Sequence, residues 1–474
     1  MSEQLHWDPE LIQRYNRSGP RYTSYPTAVE FKVVENDQVE RDLLSQRDQN
    51  VPLSLYLHIP FCAHVCYYCG CNKIVTKDRS KSEPYLDLLK AEIDRKAELL
   101  QGHPIVQQMH WGGGTPTFLS DEQMSELMDH LRKRFNFSTD DSADYSIEID
   151  PREVRPNTLK LLREIGFNRT SFGVQDLNEK VQQAVNRIQP ESLIRKVMIE
   201  ARELGFRSIN IDLIYGLPHQ TQATFAETLD VIIDMSPDRL SVFNYAHLPE
   251  RFKPQRRIKE EDLPSPEEKL AILGNCITTL TEVGYHYVGM DHFAKPDDEL
   301  SRAQGAKELH RNFQGYTTHG DCDLIGFGVS SISQISDCYL QNSPDINVYE
   351  DAINNNQFPV VKLITTDTDD LIRRQVIMEL LCHDQMIFAE LDTAFSIDSQ
   401  TYFADELSQL SPMVEDELLE ISAEGIHITE KGRLLVRNAC MVFDTYLNSN
   451  IIQTYSASAD ASTPVNRPRF SKAI

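Results

Sequence analysis

Between residues 53 and 59 apolar and polar side chains alternate: Leu53, Leu55, Leu57 and Ile59 fall on one face, Ser54, Tyr56 and His58 on the other. This is the period of a β-strand. The period then lengthens. From Ser82, with Pro84 in the first turn, Tyr85, Leu89, Ile93 and Ala97 recur at the spacing of an amphipathic helix. The same unit returns, with a strand over 105–111 running into Gly112-Gly113-Gly114-Thr115-Pro116. Ser120 and Gln123 then have the spacing of a capping box, and Met124, Leu127, Met128, Leu131 and Phe135 make a helical face. A third strand over 145–150 sets Tyr145, Ile147 and Ile149 against Ser146, Glu148 and Asp150, and its helix ends at Gly166. Further strands are predicted over 169–175, 208–215 and 239–245, with helices near 191–204, 222–235 and 266–283.

Strands that alternate with helices pair in parallel through right-handed crossovers. The fold class is therefore α/β, a partial (β/α)6 barrel or an open sheet. In barrels the site lies at the C-terminal ends of the strands. Tyr56, His58, the Gly-rich turn, Glu148, Gln175, Asp212 and Asn244 all map to that end. Beyond about residue 290 the alternation fades, and from Thr366 the chain turns helical, interrupted by a hairpin-like stretch at ISAEGIHITEKG. The expected organisation is an N-terminal arm (1–50), the partial barrel (51–290), an extension closing one side of the site (291–365), a small, mainly helical domain of winged-helix type (366–455) and a flexible tail (456–474).

The chain has 474 residues, 40% apolar and 25% charged, which is ordinary for an enzyme. No apolar run approaches the ~20 residues of a membrane-spanning helix. A formal net charge of −25 disfavours nucleic-acid binding, which relies on cations neutralising phosphates, so the winged domain suits a lid or docking role better than DNA. A basic pocket inside an acidic protein is still compatible with a polyanionic small molecule. The start MSEQLHWDPE carries no apolar signal core and the nine cysteines are an odd count. A reducing, cytoplasmic location without disulfides is expected.

Residues 62–71 read CAHVCYYCGC, with Cys62, Cys66 and Cys69 at C-x3-C-x2-C spacing and Cys71 two residues on. Thiolates suit structural zinc, but such sites usually combine two separated pairs; Cys276, Cys322, Cys338, Cys382 and Cys440 stand alone. Three thiolates on one loop can instead hold a cubane of four irons with one iron left open. Cys71 is a fourth ligand by count alone, and the crowding of C-x-C leaves it nearby and non-ligating.

A C-x3-C-x2-C loop after a first barrel strand, followed by GGGTP after the second, resembles the radical S-adenosylmethionine (SAM) enzymes. PRYTSYPT (20–27), HIPFCAHVCYYCGCNKI (58–74), HWGGGTPT (110–117), IEIDPRE (147–153), GVQD (173–176), NIDLIYGLP (210–218), SVFNYAHLP (241–249) and HRNFQGYTT (310–318) resemble, within that superfamily, the oxygen-independent coproporphyrinogen III oxidases. The resemblance implies a [4Fe–4S] cluster on Cys62, Cys66 and Cys69 whose open iron receives SAM. It places SAM contacts at Tyr56, Tyr68, Gly113, Gly114, Thr115 and Glu148. It implies a second SAM near Gln175, Arg187, Asp212 and Ala246, with Ile332 beside the first. Each has a plainer alternative: Tyr68 packing the loop, GGGTP as a tight turn, Glu148 and Asp212 as ion-pair partners of Arg187 or Arg169, Arg187 as a surface charge. His58 and His64 are not expected to bind iron.

The implied activity is the oxidative decarboxylation of two propionates of coproporphyrinogen III to vinyl groups, giving protoporphyrinogen IX. It requires an electron donor and an electron acceptor that the sequence does not identify, and a monomer is expected. Carboxylates need cations, and Arg21, Lys73, Arg152 and Arg311 are the candidates, each alternatively a solvated surface charge. A haem chaperone on the same barrel, a radical enzyme acting on the haem macrocycle and a zinc-stabilised regulator are the competing readings.

Overall fold

The computed structural model describes residues 5–447; the segment 456–474, expected as a tail, lies outside them. The described residues fall into two compact units, each discontinuous in sequence. One contains residues 32–276 and 321–365, the other 5–31, 277–320 and 366–447. The five segments read from the sequence are thus distributed over two units, with divisions inside the arm at Phe31/Lys32, inside the expected barrel at Cys276/Ile277 and inside the extension at Gly320/Asp321.

The first unit carries the six expected strands: β1 (Leu53–Ile59), β2 (Ile105–Gly113), β3 (Asp144–Ile149), β4 (Arg169–Gln175), β5 (Ser208–Tyr215) and β6 (Arg239–Asn244). They lie side by side in this order, every neighbouring pair parallel. Helices Ser82–Leu99, Asp121–Arg134, Thr158–Glu164, Glu191–Glu203 and Gln222–Met235 follow strands β1 to β5. The Ser120/Gln123 capping box forms. Leu53, Leu55, Leu57 and Ile59 are fully buried, as the alternation requires.

The extension adds a feature the alternation did not reveal. Asp323–Phe327 pairs in parallel with β1, and Ile332–Ile335, Cys338–Asn342, Val360–Thr365 and Lys32–Val33 continue outward as antiparallel neighbours. Asp323–Phe327 is buried at every position. A strand covered on both faces shows no alternation.

The second unit joins the two ends of the chain around one core. Leu11, Tyr15, Tyr22 and Tyr25 pack with Val376, Leu380, Phe403 and Cys440. The Tyr22 hydroxyl donates to Asp444 (3.0 Å), and the Arg437 guanidinium donates to the carbonyls of Gly19 and Pro20. Helix Thr368–His383, several short helices and a three-stranded antiparallel sheet of Gln385–Ile387, Gly425–Ile428 and Leu419–Ile421 give the mainly helical, winged arrangement expected. Among the described residues no helix is long and apolar enough to cross a membrane.

A buried charge cluster ties the first unit together. Lys96, fully buried, meets Glu40 at 2.8 Å and Glu92 at 2.9 Å and donates to the Gly326 carbonyl at 2.8 Å. Glu92 also accepts from the Gly328 N–H (2.8 Å), Asn342 Nδ2 (2.8 Å) and the Tyr349 hydroxyl (2.7 Å). Lys96→Met strands two carboxylates without their cation, and the expected loss is about 3–5 kcal/mol. Denaturant unfolding measures it, and Lys96→Met/Glu40→Leu should unfold later than Lys96→Met alone.

Candidate active site

β1 feeds directly into the cysteine loop. Phe61–Cys62 pairs in parallel with Ile74–Val75, closing residues 63–73 into a loop. The Ile74 N–H donates to the Pro60 carbonyl (2.6 Å) and the Thr76 N–H to that of Cys62 (2.9 Å). From behind, Tyr67 N–H donates to the Val185 carbonyl (2.9 Å), and Asn186 Nδ2 to that of Val65 (2.7 Å). Tyr68 packs against the apolar cluster of Val181, Val185, Ile214 and Leu217. Its carbonyl accepts from Gln255 Nε2 at 2.8 Å. So fixed, Cys62, Cys66 and Cys69 line one cavity of about 260 Å³. Among the described residues no three His, Cys, Asp or Glu side chains are grouped to hold a single metal ion; the three sulfurs border an opening with room for a larger group.

The charges around the sulfurs are arranged by Asp150. It accepts from Arg152 Nη2 (2.7 Å) and Arg187 Nη1 (3.1 Å), and each guanidinium also donates to Cys66 Sγ at 3.4 Å. Burial opposes the Asp150 charge, but Arg187 and then Arg152 hold the carboxyl down at about 2. Hydrogen bonds to a cluster sulfur are among the levers that tune it. Arg187 is buried and also reaches the Gly173 carbonyl, so it is not a surface charge. Burial pushes the Cys62 thiol up to about 12, against a 3.5 Å contact with Thr115 Oγ1. Hydrogen bonding from Cys71, with the Lys73 ammonium beside it, favours the Cys69 thiolate. Cys71 itself is exposed.

The Gly-rich turn closes on this loop. Gly114 N–H donates to the Ile59 carbonyl and Thr115 N–H to that of Phe61, both at 2.8 Å. A Cβ at Gly114 would stand 2.7 Å from backbone atoms of Pro60 and Phe61. Gly113 has φ +107°, and a Cβ there would meet the His58 ring at 2.6 Å. Its N–H donates to Glu148 Oε2 (3.2 Å), whose Oε1 lies 3.3 Å from His110 Nε2. The Glu148 side chain, 46% exposed, opens into the cavity. Its recessed place in the cavity partly desolvates it and works against its charge, yet His110 and the Gly113 N–H keep its carboxyl below the usual range.

Asp212 accepts from Ser171 Oγ (2.9 Å) and Asn210 Nδ2 (2.8 Å). Burial, and then the charge of Glu148, push it up to about 6. Gln175 sits at φ +73°, and its buried Oε1 has no hydrogen-bond partner among the described residues. An orphaned acceptor beside two carboxylates fits a ligand rich in donors.

Cys62, Cys66, Tyr68, Cys69, Cys71, Lys73, Gly113, Gly114, Thr115, Glu148, Gln175, Arg187 and Asp212 thus border one cavity. Neither Glu148 nor Asp212 pairs with an arginine: Arg169 pairs with Asp144 and Arg187 with Asp150. The other candidates lie apart from the cavity lining. Tyr56 stacks on His110 (5.9 Å, 11°) and bonds His58 Nδ1 (3.1 Å). The Ala246 carbonyl accepts from Gln255 (3.2 Å), and Ile332 pairs with Gln341. Arg152 is engaged by Asp150 and Cys66. Arg21 and Arg311 belong to the second unit, where Arg21 pairs with Asp291. Asp150 and His110 are site residues that the sequence pattern alone does not single out. Their signal was position, at or near strand ends beside residues of opposite or complementary character.

Two outcomes follow from this geometry. Gly114→Ala must displace the chain just before Cys62, so iron bound after anaerobic reconstitution should fall well below wild type, measured by metal analysis. Asp176, 2% exposed, receives Gln220 Nε2 (2.5 Å), the Asn178 N–H (2.6 Å) and the Thr228 hydroxyl (3.2 Å), anchoring the turn after Gln175. Burial raises its carboxyl to about 6. A raised carboxyl adds stability fully present below about pH 4 and lost as pH rises through about 6. Relative to Asp176→Asn, wild-type unfolding free energy should therefore fall by about 2–3 kcal/mol between about pH 4 and about pH 7.

Comparison with known proteins agrees with this construction. The Radical SAM superfamily matches residues 56–232 and the HemN C-terminal domain residues 367–435. The oxygen-independent coproporphyrinogen III oxidase of Pseudomonas aeruginosa is 53% identical over 476 residues, covering 100% of both chains. That of Synechocystis sp. is 46% identical, over 94% of this chain and 96% of its own. The solved structure of the coproporphyrinogen III oxidase from Escherichia coli, described as a radical SAM enzyme, superposes with a TM-score of 0.90 at 50% identity, covering 94% of this chain and 100% of that one. With the cysteine loop, the glycine turn and the carboxylates of β3 and β5 gathered on one cavity, the chain belongs to the oxygen-independent coproporphyrinogen III oxidase family of radical SAM enzymes.

Proposed function

We propose that this protein converts two propionate side chains of coproporphyrinogen III into vinyl groups without oxygen, giving protoporphyrinogen IX for haem biosynthesis. The observation that carries the reading is the placement of Cys62, Cys66 and Cys69 on the same cavity as Glu148, Gln175 and Asp212. Those cysteines would hold a [4Fe–4S] cluster and leave its fourth iron to SAM. Bound there, the pair would supply one-electron chemistry for hydrogen abstraction at a propionate β-carbon, with loss of CO₂ and one electron from the side chain.

The chain's own residues bind and orient. The guanidiniums of Arg152 and Arg187 oppose negative charge at Cys66 and are themselves fixed by Asp150. Gly113 and Gly114 let backbone come close to a ligand, and Thr115 stands beside Cys62. Tyr56, Tyr68 and Glu148 are assigned to a first SAM, with Ile332 beside it. Gln175, Arg187, Asp212 and Ala246 are assigned to a second. Glu148 and Asp212 offer acceptors to an ammonium or to ribose hydroxyls, and the unpartnered Gln175 Oε1 offers another. We place the reaction in the cytoplasm, carried out by a monomer that draws on an electron donor and an electron acceptor.

Anaerobic reconstitution with iron and sulfide, followed by reductant, SAM and coproporphyrinogen III, should yield 5′-deoxyadenosine, CO₂ and protoporphyrinogen IX together. Cofactor cleavage without vinyl product would instead identify chemistry on the haem macrocycle, and haem retention without cleavage a chaperone. Ala at Cys62, Cys66 or Cys69 should abolish the brown iron–sulfur absorption, whereas Cys71→Ala should retain it, read by iron and sulfide analysis with the visible spectrum.

A further inference from the structure

In the second unit, strands His310–Asn312 and Gly315–Thr317 set Arg311 opposite Tyr316. The guanidinium carbon stands 4.7 Å from the centre of the Tyr316 ring. Arg311 is only 8% exposed, yet its Nε and Nη1 have no hydrogen-bond acceptor and no carboxylate pairs with it among the described residues. A buried cation without a counter-ion is costly. The surroundings add to the cost. Burial holds the Arg437 guanidinium down at about 10, and nearby Arg311 pushes it the same way. Acids of the same unit are engaged elsewhere: Asp291 by Arg21, Asp384 by Arg433 at 2.8 Å, Asp444 by the Tyr22 hydroxyl.

A planar guanidinium with free N–H groups is shaped to take a carboxylate through two parallel hydrogen bonds. We propose that Arg311 receives one propionate carboxylate of the tetrapyrrole, an assignment that rests on the functional reading above and selects one cation from its four candidates. The ligand brings the counter-ion that the folded chain withholds.

Arg311→Met keeps the apolar stem and removes the charge. Because that charge is uncompensated in the free protein, the variant should unfold at the wild-type temperature or above it; a clear fall in unfolding temperature would show a structural cation and overturn the inference. The binding probes are coproporphyrin III, the fluorescent oxidised tetracarboxylate, and its tetramethyl ester. A charge-assisted hydrogen bond corresponds to an increase of about 10–100-fold in Kd for the tetracarboxylate in Arg311→Met, with partial recovery in Arg311→Lys and no change for the ester. Equal tetracarboxylate affinity in wild type and Arg311→Met, or an equal loss for the ester, overturns the inference while the functional reading stands. Wild-type protein that does not bind the tetracarboxylate overturns both.

Discussion

The hydrogen-bond ladder between the first two barrel strands does not stop where the strands do. Beyond the pairing of Ile59 with Gly113, it continues through Gly114 N–H to the Ile59 carbonyl and Thr115 N–H to that of Phe61. The glycine turn and the entry to the cysteine loop are thus consecutive rungs of one ladder. Their spacing is set by backbone geometry, not by side chains that can change rotamer. This is why the position of Cys62 is coupled to residues more than fifty places along the chain, and why glycine is needed where the rungs converge: a side chain at Gly114 would occupy the space of the partner strand's own backbone.

On that frame two of the cavity's carboxylates, Glu148 and Asp212, are set apart. Glu148 is held charged by His110 and the Gly113 N–H, whereas Asp212, surrounded only by neutral donors, is pushed toward its protonated form by burial and by Glu148 itself. Like charges in one site drive their proton affinities apart. A cationic ligand reverses the sign for Asp212, because a positive charge beside it offsets both burial and the repulsion from Glu148. The side of the cavity formed by Glu148 and Asp212 therefore favours a ligand group that carries positive charge and donors, which suits a sulfonium amino acid.

The sequence was most legible where structure is local. Leu53–Ile59, Arg169–Gln175 and Ser208–Tyr215 occupy the residues that alternation predicts, since one face of each strand is polar toward the site. The cysteine spacing was equally legible, as three ligands on one loop are close in any fold. What escaped depends on distant neighbours. Asp323–Phe327 is buried on both faces and contains Gly326, so it lacks a period. Lys96 reads as a solvated helix residue, yet is buried because Glu40 and Glu92 meet it from two helices. Asp150 and His110 acquire roles only when β2, β3 and the loop around Arg187 come together. The arm divides at Phe31 because its aromatic residues find their partners near the other end of the chain.

Local rules are broken where the fold leaves an interaction unfinished. Gln175 takes a left-handed backbone conformation that its side chain disfavours and buries an oxygen with nothing to accept from. Arg311 buries a cation near a second one, Arg437. Neither arrangement is explained by stability, because a glycine at the first position and an apolar residue at the second would each satisfy the fold at lower cost. Both are supported by tightly satisfied surroundings: Asp176 with three donors beside Gln175, and the Arg437 and Tyr22 contacts in the unit that holds Arg311. A structure that spends well-formed contacts to hold unsatisfied groups in place is organised for a molecule that arrives later. The chemistry of the gaps, an acceptor in one unit and a cation in the other, matches the donors of SAM and the carboxylates of a propionate-bearing substrate.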